Sequence, residues 1–317
     1  MRQFKSNRES FSATLLELAK ENPAILAVSS DARGSCSLNT FVQELPDQFV
    51  EAGIAEQDEM GIAAGLAAVG KHPYVCAPAC FLSTRALEQI KIDVAYSHQN
   101  VKIFGVSGGV SYGALGASHH SLHDIATLRC FPDLSVIIPS DAVQTEAMLK
   151  VIEKMDQAVY IRVGREAIPI IYDESVSCAP FVYGKANTLR EGTDVTIIAC
   201  GELVYHALEV ADSLLQEGLF VRVLDMATLK PFDQEAVEKA ARETGAILTV
   251  EEHSINGGLG ATVSQIVCGS HLVPVINLAF PDEYLVAGDS QDLFKHYGLD
   301  ETGIKAAVIQ LLKRKQG

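Results

Sequence analysis

The stretch FVEAGIAEQDEMGIAAGLAAVG, residues 49–70, sets Glu56, Asp58 and Glu59 directly before a run of small apolar residues. Carboxylates in a first helical turn satisfy unpaired amides and the positive end of the macrodipole, which accounts for Asp58 and Glu59 without any chemistry. Glu56 differs: Gly53 permits a sharp turn before it, and the Ala and Gly residues after it let a ring or a backbone come close. Histidines 119, 120 and 123 follow the glycine-rich stretch GVSGGVSYGALGAS, which is loose enough to approach a ligand and leads into an expected helix. The bland reading of that stretch is a mobile surface loop with Ser118 as a helix cap.

Those residues need a scaffold, and the hydrophobic pattern supplies one. A helix is expected over 10–20, strands over 24–32 and 72–79, a helix over 85–98, a strand over 101–108, a helix over 123–131, a strand over 134–141, a helix over 142–154 and a strand over 158–164. The pattern loosens over 168–190. It resumes with strands at 193–201, 220–226, 246–254 and 273–280, and with helices near 207–217, 233–243, 260–268 and 302–314. Continuous β-branched runs alternating with helices mean an α/β protein with largely parallel sheets flanked by helices. The expected organisation is two domains, 1–167 and 191–317, joined by a linker at 168–190. Ligands of such sheets sit at the carboxyl ends of strands, which singles out the loops 29–37, 105–120 and 163–167.

Composition limits the functions available. The formal net charge is −15 and no basic run occurs, which argues against nucleic acid and against an anionic membrane surface. No segment reaches about 18 uninterrupted apolar residues, and the first 23 lack a signal-length apolar core, so the expected location is cytoplasmic. The seven cysteines form no CxxC pair and mostly lie in apolar runs such as VTIIAC and SQIVC, where a reduced, buried thiol is expected. Histidine spacing offers no metal motif. GxGxxG in the right frame, GxxxxGK[ST] and GxSxG are absent, which disfavours dinucleotide, P-loop and serine-hydrolase readings.

Five motifs in order, GIAEQ (53–57), FLSTRALEQIKID (81–93), SHHSLHDIATLRCFPDLSVIIPSD (118–141), YIRVGR (160–165) and TVEEHSINGGLG (249–260), resemble the transketolase and deoxyxylulose-phosphate synthase family over nearly the whole chain. The likeness is to that family's pyrimidine-binding and C-terminal domains. The diphosphate-binding domain, with its GDG and Asn magnesium motif, has no counterpart here. The resemblance therefore implies the C-terminal subunit of a split transketolase, active only with an N-terminal partner subunit that carries the magnesium ligands, and associating with it into a heterotetramer.

It also implies residue roles. Glu56 looks like the glutamate that hydrogen-bonds the aminopyrimidine of thiamine diphosphate and sets its tautomer; small neighbours and dry surroundings suit a shared proton. Phe81 resembles the aromatic that stacks on that ring, with Leu82 the competing position. Arg85 and Arg165 resemble arginines that hold a substrate phosphate, a task for a guanidinium fork, with pairing to Glu88 or Glu166 the purely structural alternative. His119 falls on the histidine near the reacting carbon, and in SHHS His120 could take its place. Asp31 and Ser35 lie in a loop similar to a cofactor and phosphate wall. Two departures bear on the donor: an aspartate that contacts its hydroxyl is Leu115 here, and an upstream histidine is Ser107. The implied activity is transfer of a two-carbon ketol unit from a ketose, such as a sugar phosphate other than xylulose 5-phosphate, to an aldose. The β subunit of a 2-oxoacid dehydrogenase E1, with His120-Ser121 as its His-Ser, and a non-catalytic α/β partner are the alternatives.

Overall fold

A computed structural model describes residues 3–316. Its larger sheet has seven strands in the order Thr228–Lys230, Leu134–Ile137, Ala158–Arg162, Lys102–Val106, His72–Pro78, Ile25–Ser29 and Phe49–Glu51. All neighbours run parallel except the first pair. Every residue of Ile25–Ser29, Lys102–Val106, Leu134–Ile137 and Ala158–Arg162 is buried, as continuous apolar runs covered on both faces require. A second sheet of five strands runs Val275–Phe280, Ile247–Ser254, Val195–Ala199, Val221–Asp225 and Asn187–Arg190, parallel but for the last pair. A two-stranded ribbon pairs Phe4–Ser6 with Ala167–Pro169.

Several expectations are corrected in detail. The helix expected over 85–98 begins earlier, as Ala79–Arg85, breaks at Ala86, and continues over Leu87–Gln89 into a wide-turned helix Ile90–Tyr96. Arg85 thus ends one helix instead of starting another. His119 and His120 stand ahead of the next helix, Asp124–Arg129, after a tight turn at Gly113–Ser118. Ser118 contacts His119 Nδ1 at 2.9 Å and caps nothing. Cys36, Cys76, Cys80 and Cys200 are buried and free, but Cys130 and Cys268 are exposed, Cys268 on the outer side of helix Leu259–Gly269.

Residues 170–186 carry no strand or helix, yet they are held down. Asp141 Oδ2 accepts the amides of Ile171 and Tyr172 at 2.7 and 2.9 Å, while its Oδ1 caps helix Ala142–Ile152 at Gln144 N. Asn187 donates to the carbonyls of Ala179 and Pro180, each at 3.0 Å. Buried backbone in an irregular segment needs such partners.

Candidate active site

The segments that follow five of the seven strands of the larger sheet deliver the candidate residues. Glu51, at the end of Phe49–Glu51, accepts the amides of Asp31 and Gly53 on one oxygen, at 2.7 and 2.9 Å. That carboxylate ties the loop after Ile25–Ser29 to the turn before helix Glu56–Ala68, where Gly53 takes φ 72°. The turn places Glu56 first in the helix, 5 % exposed, at the wall of a cleft of about 970 Å³ lined also by Ile54, Asp58, Gly61 and Arg85. Asp58 faces solvent, as a helix-start acid should. Glu59 does not: it is fully buried and neither oxygen has a hydrogen-bond partner. Burial pushes its carboxyl up to about 8, against the influence of nearby Ser30 and the Cys76 amide.

Arg85 salt-bridges Glu56, Nη1 to Oε1 at 2.8 Å, and not Glu88. Its guanidinium carbon lies 4.1 Å over the Phe81 ring. Phe81 is half-buried and faces this group, whereas Leu82 is wholly in the core, so Phe81 is the member of the pair that reaches the site. His119 meets Phe81 edge-on at 5.3 Å and Tyr112 edge-on at 5.7 Å between ring centroids. The Tyr112 hydroxyl donates to Ser35 Oγ at 3.1 Å and accepts from Arg165 Nη1 at 2.9 Å, and the Arg165 guanidinium lies 5.0 Å from the Tyr112 ring. One continuous line therefore runs from Glu56 through Arg85, Phe81, His119 and Tyr112 to Arg165 and Ser35.

Two candidates stand apart from it. His120 is buried, contacts the Gly113 carbonyl through Nε2 at 3.1 Å, and leaves Nδ1 without a partner. It lines a separate cavity of about 460 Å³ with His123, Ser254 and Tyr284. Asp31, exposed and at φ 56°, borders a neighbouring hollow with Arg33, Asn39 and Glu51. Glu51 and Tyr112 are the members that sequence reasoning missed. A lone aromatic with a polar tip inside a glycine-rich loop was the available signal for Tyr112.

Two glycines of that loop, Gly108 and Gly109, have a structural reason of their own. A Cβ at Gly108 would lie 2.1 Å from Arg162 Nε, and one at Gly109 2.0 Å from the Glu252 carboxyl carbon. They make room for a buried ion pair between the two sheets, and no ligand approach is needed to explain them. Among the described residues no group of His, Cys, Asp and Glu is arranged to hold a metal ion.

The site thus sets a buried carboxylate beside a half-exposed aromatic face, with a histidine next and an arginine at the far end. Residues 5–170 match the transketolase pyrimidine binding domain and residues 184–304 the transketolase C-terminal domain. The chain belongs to the transketolase family and corresponds to the C-terminal subunit of a split transketolase. It is 55 % identical over 307 residues to an apulose-4-phosphate transketolase subunit of Phocaeicola vulgatus, covering 97 % of both chains. It is 35 % identical over 308 residues to a 6-deoxy-6-sulfo-D-fructose transketolase subunit of a Clostridium species, covering 97 % of this chain and 95 % of that one. A solved structure described as split gene transketolase, inactive beta4 tetramer, is 39 % identical with a TM-score of 0.88, over 98 % of this chain and 99 % of that one. The chain is thus part of a ketol-transferring enzyme of the thiamine-diphosphate class, and neither the 2-oxoacid dehydrogenase nor the non-catalytic reading is favoured.

Proposed function

We propose that this chain, joined to an N-terminal subunit carrying the diphosphate-binding domain and its magnesium ligands, transfers a two-carbon ketol unit from a ketose phosphate to an aldose. The observation that carries the reading is the continuous line from buried Glu56 to Arg165 and Ser35. Thiamine diphosphate, when bound, supplies the carbanion that such transfers need. The residues present suit its aminopyrimidine: Glu56 offers a desolvated carboxylate to a ring nitrogen at the wall of an open cleft, and half-buried Phe81, under the Arg85 guanidinium, offers a flat apolar face. Arg85 lies on both, so a ring seated there competes with it.

His119, between Phe81 and Tyr112, holds or moves a proton at the substrate's hydroxyls, while His120, turned to the Gly113 carbonyl, supports the loop. Arg165 and Ser35 hold the phosphate, and Arg85 acts nearer to Glu56. Leu115, 55 % exposed at the rim, cannot accept a hydrogen bond from the donor, which suits a ketose unlike xylulose 5-phosphate. The 55 % identical relative makes apulose 4-phosphate the first donor to test. We further propose domain limits of 1–167 and 191–317 with a linker at 168–190, a heterotetrameric assembly, and a cytoplasmic location; no helix among the described residues is long and apolar enough to cross a membrane.

Co-expression with the N-terminal subunit, followed by a screen of apulose 4-phosphate, xylulose 5-phosphate, 6-deoxy-6-sulfofructose and unphosphorylated ketoses, tests this. Two-carbon transfer from a ketose phosphate by the assembled enzyme, with none from either chain alone, is the expected result. Turnover by this chain alone, or transfer that ignores the phosphate, would overturn it.

A further inference from the structure

Tyr112 is more than a link in the line of site residues. The backbone on either side of it, at Val110 and Gly113, is pinned by the second domain: Ser290 Oγ donates to the Val110 carbonyl at 2.9 Å, Gly288 N to the Gly113 carbonyl at 3.1 Å, and Val110 N to Glu252 Oε1 at 2.7 Å. A Cβ at Gly113 would lie 2.2 Å from the Gly288 carbonyl oxygen, so the loop and the turn at 287–290 are in close contact. The phenol so held stands between His119 and Arg165, with centroid separations of 5.7 Å to His119 and 5.0 Å to the Arg165 guanidinium. The hydroxyl already bridges the two groups, Arg165 and Ser35, that the proposed function assigns to phosphate.

We infer that Tyr112 is a specificity-determining residue for the anionic end of the substrate. This role rests on the proposed function, which seats the phosphate at Arg165 and Ser35. The phenol hydroxyl is a third donor to the phosphate beside Arg165 and Ser35: its proton turns from Ser35 Oγ to a phosphate oxygen, and Arg165 turns with it. Its ring, fixed by the clamped loop, sets the distance from His119 to the phosphate. One ring of spacing selects ketose phosphates of one chain length, and the second domain imposes that selection through Gly288 and Ser290. Binding groups on rigid supports discriminate because they cannot follow a ligand of the wrong length.

The test uses the assembled two-subunit enzyme and compares Tyr112→Phe, Tyr112→Ala and Arg165→Ala, each titrated calorimetrically with inorganic phosphate and assayed with phosphorylated and unphosphorylated ketoses. Tyr112→Phe keeps the ring contacts, so the expected result is about tenfold weaker phosphate binding and an equally raised KM for the ketose phosphate, with kcat and the unphosphorylated ketose unchanged. Tyr112→Ala should shift the preference toward longer ketose phosphates. If Arg165→Ala weakens phosphate binding but Tyr112→Phe leaves both phosphate affinity and KM unchanged, the inference about Tyr112 falls while the proposed function stands. If Arg165→Ala itself leaves phosphate binding unchanged, the assignment of the phosphate seat fails. Equal losses in Tyr112→Phe on both kinds of ketose would show a structural role only and overturn the inference.

Discussion

Glu56 and Glu59 sit one helical turn apart and meet opposite surroundings, one at the wall of a cleft against Arg85 and one buried without a partner. The Arg85 pair itself stabilises little: its guanidinium is half exposed, and pairs of that kind contribute about 0–1 kcal/mol. If Glu56 works as a proton-holding group, Glu56→Gln should cost about 100- to 10,000-fold in turnover of the assembled enzyme with melting temperature nearly unchanged. A role confined to starting the helix predicts loss of only a dipole contribution of about 0.3–1 kcal/mol and normal turnover. Glu59 makes a separate prediction. Its folded-state carboxyl is raised to about 8, so between its ordinary value of 4.5 and 8 the folded state binds more protons than the unfolded one, and stability falls as pH rises through that window. Glu59→Gln removes this cost, so the melting temperature of the variant minus that of the wild type should increase from pH 5 to pH 8.5. A difference independent of pH would show that Glu59 is ionised inside the fold.

At the scale of elements, the site depends on loops that helices and caps hold in register with the sheet. Asp141 illustrates this, serving as N-cap of helix Ala142–Ile152 and as acceptor for two amides of the irregular segment that leads out of the first sheet. Asp141→Ala loses a cap, worth about 1 kcal/mol, and strands the amides of Ile171 and Tyr172, so a loss of about 3 kcal/mol is expected in a denaturant titration of the folded chain. A loss within 0.5 kcal/mol would mean that the segment finds other partners. The central strands of both sheets were legible because runs of consecutive apolar, β-branched residues have no other stable place, whereas the short edge strands Phe49–Glu51, Thr228–Lys230 and Asn187–Arg190 were not, the last inside the expected linker. The break at Ala86 and the wide turns of Ile90–Tyr96 were not, since RALEQIKIDVAYSH has an unbroken helical period and tertiary packing decides where it yields.

At the scale of the whole molecule, the two sheets are joined by charge as well as by apolar contact. Arg162, on the first sheet, is 3 % exposed; its Nη2 donates to the Glu252 carbonyl at 2.7 Å and meets Glu252 Oε2 at 3.3 Å, and its Nε lies 3.5 Å from Asp124 Oδ2, which Tyr160 also contacts at 2.7 Å. Burial pushes the carboxyls of Glu202 and Glu252 upward, and the Arg162 charge works against that rise. Removing one partner of a buried pair leaves uncompensated charge, so Arg162→Met should lose about 3–5 kcal/mol in chemical denaturation, and less at acidic pH where the carboxyls are neutral. A pH-independent loss below 1 kcal/mol would exclude an ionic joint. The short strand Thr228–Lys230 adds a second joint, lying antiparallel on the edge of the first sheet although it follows a strand of the second.

The residues themselves determined the α/β class and the order of its central strands and helices, because hydrophobic period is written in consecutive positions. Glu56 and His119 stood out by residue type and setting, while Phe81, Arg165 and Ser35 became candidates through the resemblance of their motifs to the transketolase family. Which candidates meet was decided only in three dimensions. His119 and His120 are adjacent in the chain, yet one turns to Phe81 and the other to the Gly113 carbonyl. Tyr112 joins Ser35 to Arg165 across separations of 77 and 53 residues. Glu59, which looks like any acid at a helix start, is carried into the interior by the direction in which its helix packs. Contacts of that kind depend on how loops from different strand ends converge, and no local pattern encodes a convergence between segments so far apart.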